Sequence, residues 1–231
     1  MKKIIFSLLL TIFVIIVLIL KDLSNKTFIL YYHNVDKYRG GYKSMYISPE
    51  TFYKQMKFLN LRKYKTIHLD ELIEYIRNKK QIPKKVFVIT FDDGYKNNFT
   101  NAYPILKKYN FKATIFLTAG NIGKIASYPG QPQEMHLTLA EINLMKDIIN
   151  FGSHTISHFD LSNSSNDIIE REILNSKKLI ERKTGLNVNT FSYPFGKYNE
   201  YSVEIVRKNY IGACTTHSGL VDLNTDVHLL P

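Results

Sequence analysis

The chain has 231 residues, 45% of them hydrophobic, which is typical of one domain with a substantial core rather than several small domains. Its net charge is +11, but lysines and arginines are interspersed with acidic residues and form no concentrated basic stripe, which disfavours a nucleic-acid-binding protein. The single cysteine, Cys214, excludes an intrachain disulfide, and its apolar neighbours predict a buried thiol rather than a nucleophile.

Residues 1–22 are predicted to anchor the chain in the cell membrane. Residues 4–20 form an uninterrupted uncharged run that is long enough for a short membrane span. The paired Lys2 and Lys3 before it favour a cytoplasmic N-terminus, and no small-x-small cleavage site follows it. We therefore expect a single-pass signal anchor with residues 23–231 outside the cytoplasm; secretion after signal cleavage is the alternative.

Strands and helices alternate along the rest of the chain. Ser48 and Pro49 are typical of a helix start, Thr138 and Glu141 form a capping box, and Gly185 is typical of a helix end. The predicted strands are 28–32, 66–67, 85–90, 113–118, 188–192 and 211–215, and the predicted helices are 48–62, 69–79, 102–109, 138 to about 150, 167–183 and 201–208. The loop 121–136 is too long for a simple connection, and we expect it to form a lid or rim at a substrate site.

This alternation predicts a parallel sheet, either a (β/α) barrel or a doubly wound sheet. Polar clusters at His33, Asp92-Asp93, His154 and 193–196 each follow the end of a predicted strand, and a barrel gathers such loops into one mouth. A doubly wound sheet also places its site at strand ends, so the pattern favours the barrel without excluding the other fold. Neither a Gly-x-Gly-x-x-Gly nor a phosphate-loop lysine motif occurs, and no nucleotide is expected.

Two adjacent carboxylates, Asp92 and Asp93, follow the apolar run 86–89. Such acids often cap a following helix, which is the structural alternative to a catalytic role. Neighbouring side chains of an extended segment point to opposite faces, so both acids reach one site only if the backbone turns, and Gly94 permits that turn.

Two histidines, His154 and His158, are spaced four residues apart, which on a helical turn places both rings on one side. The alternative is a pair of surface or core histidines. The hydroxyls of Ser153, Thr155 and Ser157 are candidates for fixing the turn or the outer ring nitrogens. A serine-hydrolase triad is disfavoured because no Gly-x-Ser-x-Gly elbow occurs.

Together, these groups predict a hydrolytic metal site. One carboxylate and two neutral imidazoles can hold a divalent ion such as zinc and leave a position free for water. The second carboxylate is then available as the base for that water.

The two motifs resemble those of the polysaccharide deacetylase family, also known as carbohydrate esterase family 4. Thr90-Phe91-Asp92-Asp93-Gly94 is similar to the family's first motif, and residues 153–158 are similar to its second. The resemblance implies a distorted (β/α) barrel with fewer than eight complete units and a catalytic domain over 23–231. It also implies that Asp92 is the base and that Asp93, His154 and His158 hold the metal. Zinc is the expected ion, although other first-row metals suit these ligands.

Residues 191–196 occupy the place of the family's third motif, in which many members carry an arginine that orients the base. Here Ser192 takes that place. The backbone N–H of Phe195 is the expected oxyanion donor, because that role requires geometry rather than a particular side chain. Predicted substrate contacts are Tyr95, Tyr193, Pro194 and Gly196.

The Tyr-Pro-Phe-Gly form of this motif and residues 30–35 resemble the branch that deacetylates poly-β-1,6-N-acetylglucosamine of biofilm matrices. By that resemblance His33 is the general acid; His217 and His228 are alternatives, since other members use a histidine near the C-terminus. The predicted partner is a glycan polymer, acted on by a monomer. Alternatives are a peptidoglycan N-acetylglucosamine deacetylase, an acetyl-xylan esterase, and a glycan-binding protein whose catalytic site has decayed.

The chain stops at Leu229-Leu230-Pro231, where family members usually continue with an arginine and further barrel elements. We therefore expect an incomplete C-terminal end of the barrel.

Overall fold

The computed structural model describes residues 26–231. The predicted membrane anchor at residues 1–22 lies outside them. Among the described helices, none combines the length and the apolar character needed to cross a bilayer.

Seven strands form the main sheet, and every pairing between them is parallel. The four short strands β2, β3, β7 and β8 form two separate pairs. In chain order the strands are β1 Ile29–Tyr32, β2 Asn34–Val35, β3 Tyr46–Ile47, β4 Lys65–Thr66, β5 Val86–Phe91, β6 Ala113–Leu117, β7 Ile125–Ala126, β8 Glu134–Met135, β9 Ile149–Ser153, β10 Thr190–Ser192 and β11 Gly212–Cys214.

Six α-helices connect the strands. Ser48 caps the first by accepting a hydrogen bond from the Thr51 N–H, and the predicted capping box of Thr138 and Glu141 is formed. The helices are α1 Pro49–Leu61, α2 Leu69–Arg77, α3 Tyr103–Tyr109, α4 Leu139–Met145, α5 Asn166–Thr184 and α6 Glu200–Asn209, with a π-helical turn at Asn98–Ala102 before α3.

The order of strands distinguishes between the two predicted folds. Six strands lie side by side in the order β1-β5-β6-β9-β10-β11, which is also their order along the chain, and β4 pairs with the start of β5. A doubly wound sheet reverses its strand order at a switch point, whereas a barrel adds each new strand on the same side. The sheet is thus an α/β half-barrel, which agrees with the predicted distorted barrel.

The two edges of this sheet are linked by the C-terminal segment. The Ala213 N–H donates to the Val227 carbonyl and the Leu230 N–H donates to the Ala213 carbonyl, so that this segment lies beside β11. Thr27, just before β1, exchanges two backbone hydrogen bonds with Val221. The segment therefore pairs with backbone groups of β11 at one edge and with Thr27, just before β1, at the other.

The core lies on both faces of the sheet. All six residues of β5 and all five of β6 are buried, as expected for parallel strands covered by helices. Helix α2 packs its buried side against them through residues at helical spacing, namely Leu69, Leu72, Ile73 and Ile76. Cys214 is buried on β11, as predicted.

One predicted element differs from the structure. The helix expected from residue 138 to about 150 ends at Met145, and residues 149–153 form the central strand β9. Ile149 and Phe151 are buried there between β6 and β10. The pairing available from two neighbouring strands outweighs the local helical preference of a short apolar run.

Candidate active site and metal centre

The two carboxylates follow β5 on a tight turn. Asp93 has a φ of 69° and Gly94 a φ of 75°, both in the left-handed region. The Asp92 N–H donates to the Tyr32 carbonyl of the neighbouring strand, which fixes the start of the turn. The turn lets both carboxylates reach the mouth of the half-barrel, as the position of Gly94 in the sequence predicts.

The two histidines follow β9 on a loop rather than on a helix. Thr155 has a φ of 63° and His158 a φ of 60°, so the loop contains two non-glycine residues in the left-handed region. The rings of His154 and His158 nevertheless lie side by side, with centroids 4.9 Å apart.

The buried carboxylate of Glu172, on α5, holds this loop. Its Oε2 accepts hydrogen bonds from the backbone N–H groups of Ile156 at 2.9 Å and Ser157 at 3.0 Å. Its Oε1 accepts a third from the Ser157 hydroxyl at 3.0 Å. A single side chain thus supports the strained turn between the two histidines.

Asp93, His154 and His158 converge on one point. The Asp93 Oδ1 lies 3.4 Å from the His158 Nε2 and 3.8 Å from the His154 Nε2, and all three side chains are at least 93% buried. A tetrahedral ion with bonds of about 2.0–2.1 Å places its ligand atoms roughly 3.3–3.4 Å apart. The triad therefore fits a divalent metal ion with only small adjustments.

The Asp93 carboxylate also has no other strong partner. Neither of its oxygens accepts a hydrogen bond of standard geometry from residues 26–231. Burial raises its pKa to about 6, as does Asp92, while His154 and the nearby hydroxyls of Tyr95 and Tyr128 act in the opposite direction. A buried carboxylate left without partners is costly, and a bound cation removes that cost.

Both histidines favour their neutral form, which is the form that ligates metals. Burial lowers the pKa of His158 to about 2, with the neighbouring histidines adding to the effect. Burial also lowers the pKa of His154, although Asp93 partly opposes this.

The ring nitrogen of His154 that does not face Asp93 is held by a backbone carbonyl rather than by a hydroxyl. Its Nδ1 lies 2.8 Å from the Ser192 carbonyl, which can only accept, so this nitrogen carries the hydrogen and Nε2 presents its lone pair to Asp93. Of the two roles predicted for the nearby hydroxyls, two of them take the role of fixing the turn: the Ser157 hydroxyl donates to Glu172, and the Thr155 hydroxyl accepts from the Phe159 N–H. The Ser153 hydroxyl bonds Ser176 instead.

The second carboxylate, Asp92, has two polar neighbours. The Ser192 hydroxyl donates to its Oδ2 at 3.3 Å, and the His33 Nε2 lies 3.9 Å from the same oxygen. Burial raises the pKa of Asp92, and His33 and Ser192 partly oppose that shift. Ser192, which takes the place of the family's arginine, is therefore itself a contact that orients Asp92.

His33 lies at the site, whereas its two alternatives do not contact these carboxylates. The pKa of His33 is lowered, chiefly by burial, and Asp92 partly opposes that shift. His228 bonds the Tyr210 carbonyl and contacts Arg207, and His217 is exposed with its ring near Tyr198. Of the three candidates for the general acid, only His33 is positioned beside Asp92.

Three asparagines around the π-helical turn clamp the segment that carries His33. The Asn98 side chain donates to the His33 carbonyl at 2.8 Å, and the Asn101 side chain donates to the Val35 carbonyl at 2.8 Å. The Asn97 side chain accepts from the Val35 N–H and donates to the Asn34 Oδ1 at 2.7 Å. A π-helical turn is rare and frequently lies at a functional site.

The third motif lies beside the histidines. Phe195 has a φ of 60°, and its half-exposed ring stands edge-on to His158 at a centroid distance of 4.4 Å. Tyr95 and Tyr193 are 3% and 1% exposed and Pro194 is also buried, so none of the three offers much surface to a substrate. Gly196 packs so closely on Thr216 that any side chain would collide with it. The substrate contacts expected of these four residues stay predictions.

The loop 121–136 forms one wall of the site. Its strands β7 and β8 pair as a hairpin, and the Tyr128 ring lies over His158 with centroids 4.2 Å apart. The Tyr128 hydroxyl donates to the Thr118 hydroxyl at 3.0 Å and lies 3.3 Å from the His136 Nε2. The loop 121–136 therefore lies at the rim of the site, as its length predicts.

Sequence reasoning missed Glu172 and the asparagine clamp. Glu172 lies in the middle of a predicted amphipathic helix, where an acidic residue has no distinctive signal. The run Asn97-Asn98, with Asn101 one turn later, carries a weak signal, because asparagine is a poor helix former at the start of a helix-like segment.

A parallel half-barrel with these groups at its mouth has the fold and site of an α/β-barrel hydrolase. The family model for polysaccharide deacetylases matches residues 79–212. The Bacillus subtilis protein YxkH, named provisionally as a polysaccharide deacetylase, is 32% identical over 204 residues, covering 87% of this chain and 68% of the relative. The chain therefore belongs to the polysaccharide deacetylase family, whose members are hydrolases.

Two further comparisons extend this result. The poly-beta-1,6-N-acetyl-D-glucosamine N-deacetylase of Staphylococcus epidermidis is 27% identical over 183 residues, which cover 73% of this chain and 60% of that enzyme. The structure of the Streptococcus pyogenes deacetylase PplD in complex with acetate aligns with a TM-score of 0.76 and 28% identity. That alignment covers 89% of this chain and 90% of PplD.

Proposed function

We propose that this protein is a metal-dependent N-deacetylase that hydrolyses the acetamido groups of an N-acetylglucosamine polymer. One observation carries the proposal: the buried side chains of Asp93, His154 and His158 converge in an arrangement that fits a metal ion, and a separate acid–base pair, Asp92 and His33, lies beside them. A purely structural cluster has no need of that second pair.

Asp93, His154 and His158 would hold the metal ion, through Oδ1 and the two Nε2 atoms. The ion would polarise the acetyl carbonyl and make the attacking water more acidic. Zinc suits one carboxylate and two imidazoles, and we propose it as the natural ion.

Asp92 acts as the general base. The water oxygen attacks the acetyl carbon, and the water proton passes to the Asp92 carboxylate. Burial raises the pKa of this carboxylate, which makes it a stronger base than an exposed aspartate. The Ser192 hydroxyl restricts its orientation, and the Phe195 N–H is the proposed donor to the oxyanion.

His33 acts as the general acid. The C–N bond breaks as the His33 imidazolium gives its proton to the departing amine, and acetate is released. Burial alone disfavours the imidazolium, but the anionic Asp92 only 3.9 Å away favours it. In this mechanism Asp92 accepts the proton of the water, and His33 supplies the proton of the departing amine.

Poly-β-1,6-N-acetylglucosamine is the proposed substrate. One support is the staphylococcal relative, which is named as the deacetylase of this polymer. The other is His33, which directly follows β1 and lies beside Asp92 at the site. We keep the predicted single-pass, extracytoplasmic location as part of the proposal, because such a polymer lies outside the cell.

Acetate release from defined polymers tests the proposal. Poly-β-1,6-N-acetylglucosamine, peptidoglycan and acetyl-xylan are incubated with purified protein, with added zinc or with a chelator. We expect zinc-dependent acetate release from the first polymer, and its loss in Asp92→Asn and Asp93→Ala. Greater release from peptidoglycan would reassign the substrate. Binding of a polymer with no acetate release from any of them would favour a decayed glycan-binding protein.

A further inference from the structure

The end of the half-barrel opposite the active site carries a dense group of basic side chains. Two segments, 62–65 and 77–85, contain eight exposed lysines and arginines and no acidic residue. The Lys65 N–H donates to the Lys85 carbonyl at 2.8 Å and the Lys85 ammonium donates to the Arg62 carbonyl at 3.1 Å, so the two segments lie together. The fold thus concentrates at one end charges that are interspersed with acidic residues over the whole chain. The basic face consists of Arg62, Lys63, Lys65, Arg77, Lys79, Lys80, Lys84 and Lys85.

The basic face lies at the start of β5, whereas Asp92 follows the end of that strand. The six residues of β5, at about 3.3 Å each, separate the two ends by roughly 20 Å. The Thr27 hydroxyl donates to the Val86 carbonyl at 2.6 Å, which places Thr27 beside the basic face. The active site therefore opens away from the end at which the N-terminal part of the chain reaches the domain.

The charges of the basic face are not neutralised by the protein itself. None of the eight side chains forms an ion pair with a carboxylate of residues 26–231, whereas nine other lysines and arginines of the described chain do. Basic residues at the ends of α1 and α2 stabilise the helix dipoles, but Lys65, Lys84 and Lys85 lie outside both helices. So dense a patch of one sign indicates an anionic partner.

Two exposed apolar side chains border the basic face and indicate the kind of anionic partner. Phe58 and Leu61, near the end of α1, are 55% and 68% exposed. The Arg62 guanidinium lies 5.0 Å from the centre of the Phe58 ring, so the apolar and basic groups are in contact. A soluble polyanion offers no apolar layer to these side chains, whereas a membrane presents acidic head groups above acyl chains. The combination favours a lipid surface.

We infer that the basic face rests on the acidic head groups of the membrane in which the chain is anchored, with Phe58 and Leu61 at the acyl boundary. The inference depends on the membrane location that forms part of the proposed function. Six residues, 21–26, separate the predicted anchor run 4–20 from Thr27, and an extended chain of that length spans about 20 Å. The anchor therefore keeps this end of the domain near the bilayer. Docking of the basic face turns the active site outward, towards a polymer outside the cell.

Single tryptophan reporters in the full chain test the docking, because the chain contains no tryptophan of its own. Leu61→Trp places the reporter at the basic face, and Ile125→Trp places it at the rim of the active site, where Ile125 is 66% exposed. Each protein is reconstituted into vesicles of neutral phosphatidylcholine, with or without acidic phosphatidylglycerol. We expect the Leu61→Trp emission to shift to shorter wavelength only in the acidic vesicles and to return in about 1 M salt, where screening acts within roughly 3 Å. The Ile125→Trp emission is expected to stay the same in both.

A variant with four fewer charges tests the role of the lysines. Lys79 and Lys85, whose ammonium groups donate to backbone carbonyls, stay unchanged. Each lysine near an acidic membrane changes binding about 5-fold, so the four substitutions are expected to weaken docking roughly 100-fold or more and to abolish the emission shift of Leu61→Trp. The four substitutions are Lys63→Gln, Lys65→Gln, Lys80→Gln and Lys84→Gln.

The matched control loses the same net charge from exposed lysines outside the basic face. It is expected to keep the emission shift of Leu61→Trp. An equal loss of the shift in the two fourfold variants overturns the inference, because net charge rather than the basic face would then decide the binding. The control substitutions are Lys37→Gln, Lys43→Gln, Lys124→Gln and Lys178→Gln.

Two other results overturn the inference. One is a Leu61→Trp emission that does not shift in acidic vesicles or shifts equally in neutral ones. The other is calorimetric binding of soluble polyglycerol phosphate without a shift in acidic vesicles, which makes an anionic wall polymer the partner. Acetate release from soluble oligomers tests the proposed function separately: release without an emission shift leaves that function standing, and a shift without release supports the docking alone.

Discussion

Replacement of Glu172 by alanine tests how the metal-binding loop is held. The carboxylate accepts three hydrogen bonds from the loop, two of them from backbone N–H groups. Hydrogen bonds to a charged group contribute about 1.5–3 kcal/mol each. In the variant, water can replace some of these hydrogen bonds, because Ile156 is half-buried and Ser157 is exposed. We therefore expect Glu172→Ala to lower the free energy of unfolding by about 2–4 kcal/mol.

The effect on metal affinity follows from the strained backbone. Without Glu172, Thr155 and His158 have less support for their left-handed conformations, each of which costs about 1–3 kcal/mol. The two histidines then lose their fixed separation, and the zinc Kd is expected to rise about 10- to 100-fold, as for other residues that support metal ligands.

Glu172→Gln is the matched control. Both backbone N–H groups bond the same oxygen, Oε2, so a glutamine carbonyl in that position accepts both. Its amide can then donate to the Ser157 hydroxyl, and only the charge is lost. Zinc competition against a chelator measures Kd, and denaturant unfolding of the metal-free protein measures stability. An unchanged zinc Kd in Glu172→Ala, or an equal loss in both variants, would refute this explanation of how the loop is held.

Three further predictions concern the rest of the site. Purified protein is expected to hold one zinc per chain, measured by elemental analysis, and Asp93→Ala to hold none. Ser192→Ala is expected to lower kcat about 5- to 10-fold with unchanged zinc content, since one hydrogen bond to a charged group is lost, whereas Ser192→Thr keeps it. The buried His136 has a pKa of about 4, below the usual 6.5, so the unfolded chain binds its proton first as the pH falls. The contribution of neutral His136 to the free energy of unfolding is complete above pH 6.5 and decreases by about 3 kcal/mol towards pH 4. The free energy of unfolding, measured above pH 6.5 and at pH 4, should therefore decrease less in His136→Gln than in the wild-type protein.

Much of the fold could be predicted because its elements carry local signals. Capping residues and helical spacing located α1 and α2, and the buried run before Asp92 located β5. The error at residues 146–150 arose where two elements follow one another with almost no connection. There the pairing of β9 with β6 and β10 decides the structure, and a single sequence does not contain that information.

The candidate metal ligands could be predicted from the sequence, but the residues that hold the site in place could not. The acid pair and the histidine pair together predict a metal site, and the resemblance to the polysaccharide deacetylase family implies that Asp93, His154 and His158 are its ligands. Glu172 and Asn98 act through contacts with Ile156 and His33, which lie 16 and 65 positions away in sequence. Such contacts exist only after the strands have assembled.

The hydrogen bond between Ser192 and Asp92 depends on the curvature of the sheet. Ser192 ends β10 and Asp92 follows β5, and these two strands are separated in the sheet by β6 and β9. In a flat sheet three strand spacings of about 4.8 Å would hold their backbones roughly 14 Å apart. Their side chains are instead 3.3 Å apart, because the sheet curls and brings its strand ends together at one mouth. Ser192 also accepts from His154 through its carbonyl, so one residue at the end of a three-residue strand positions both the base and a metal ligand. The curvature of the half-barrel thus lets a side chain as short as serine reach Asp92.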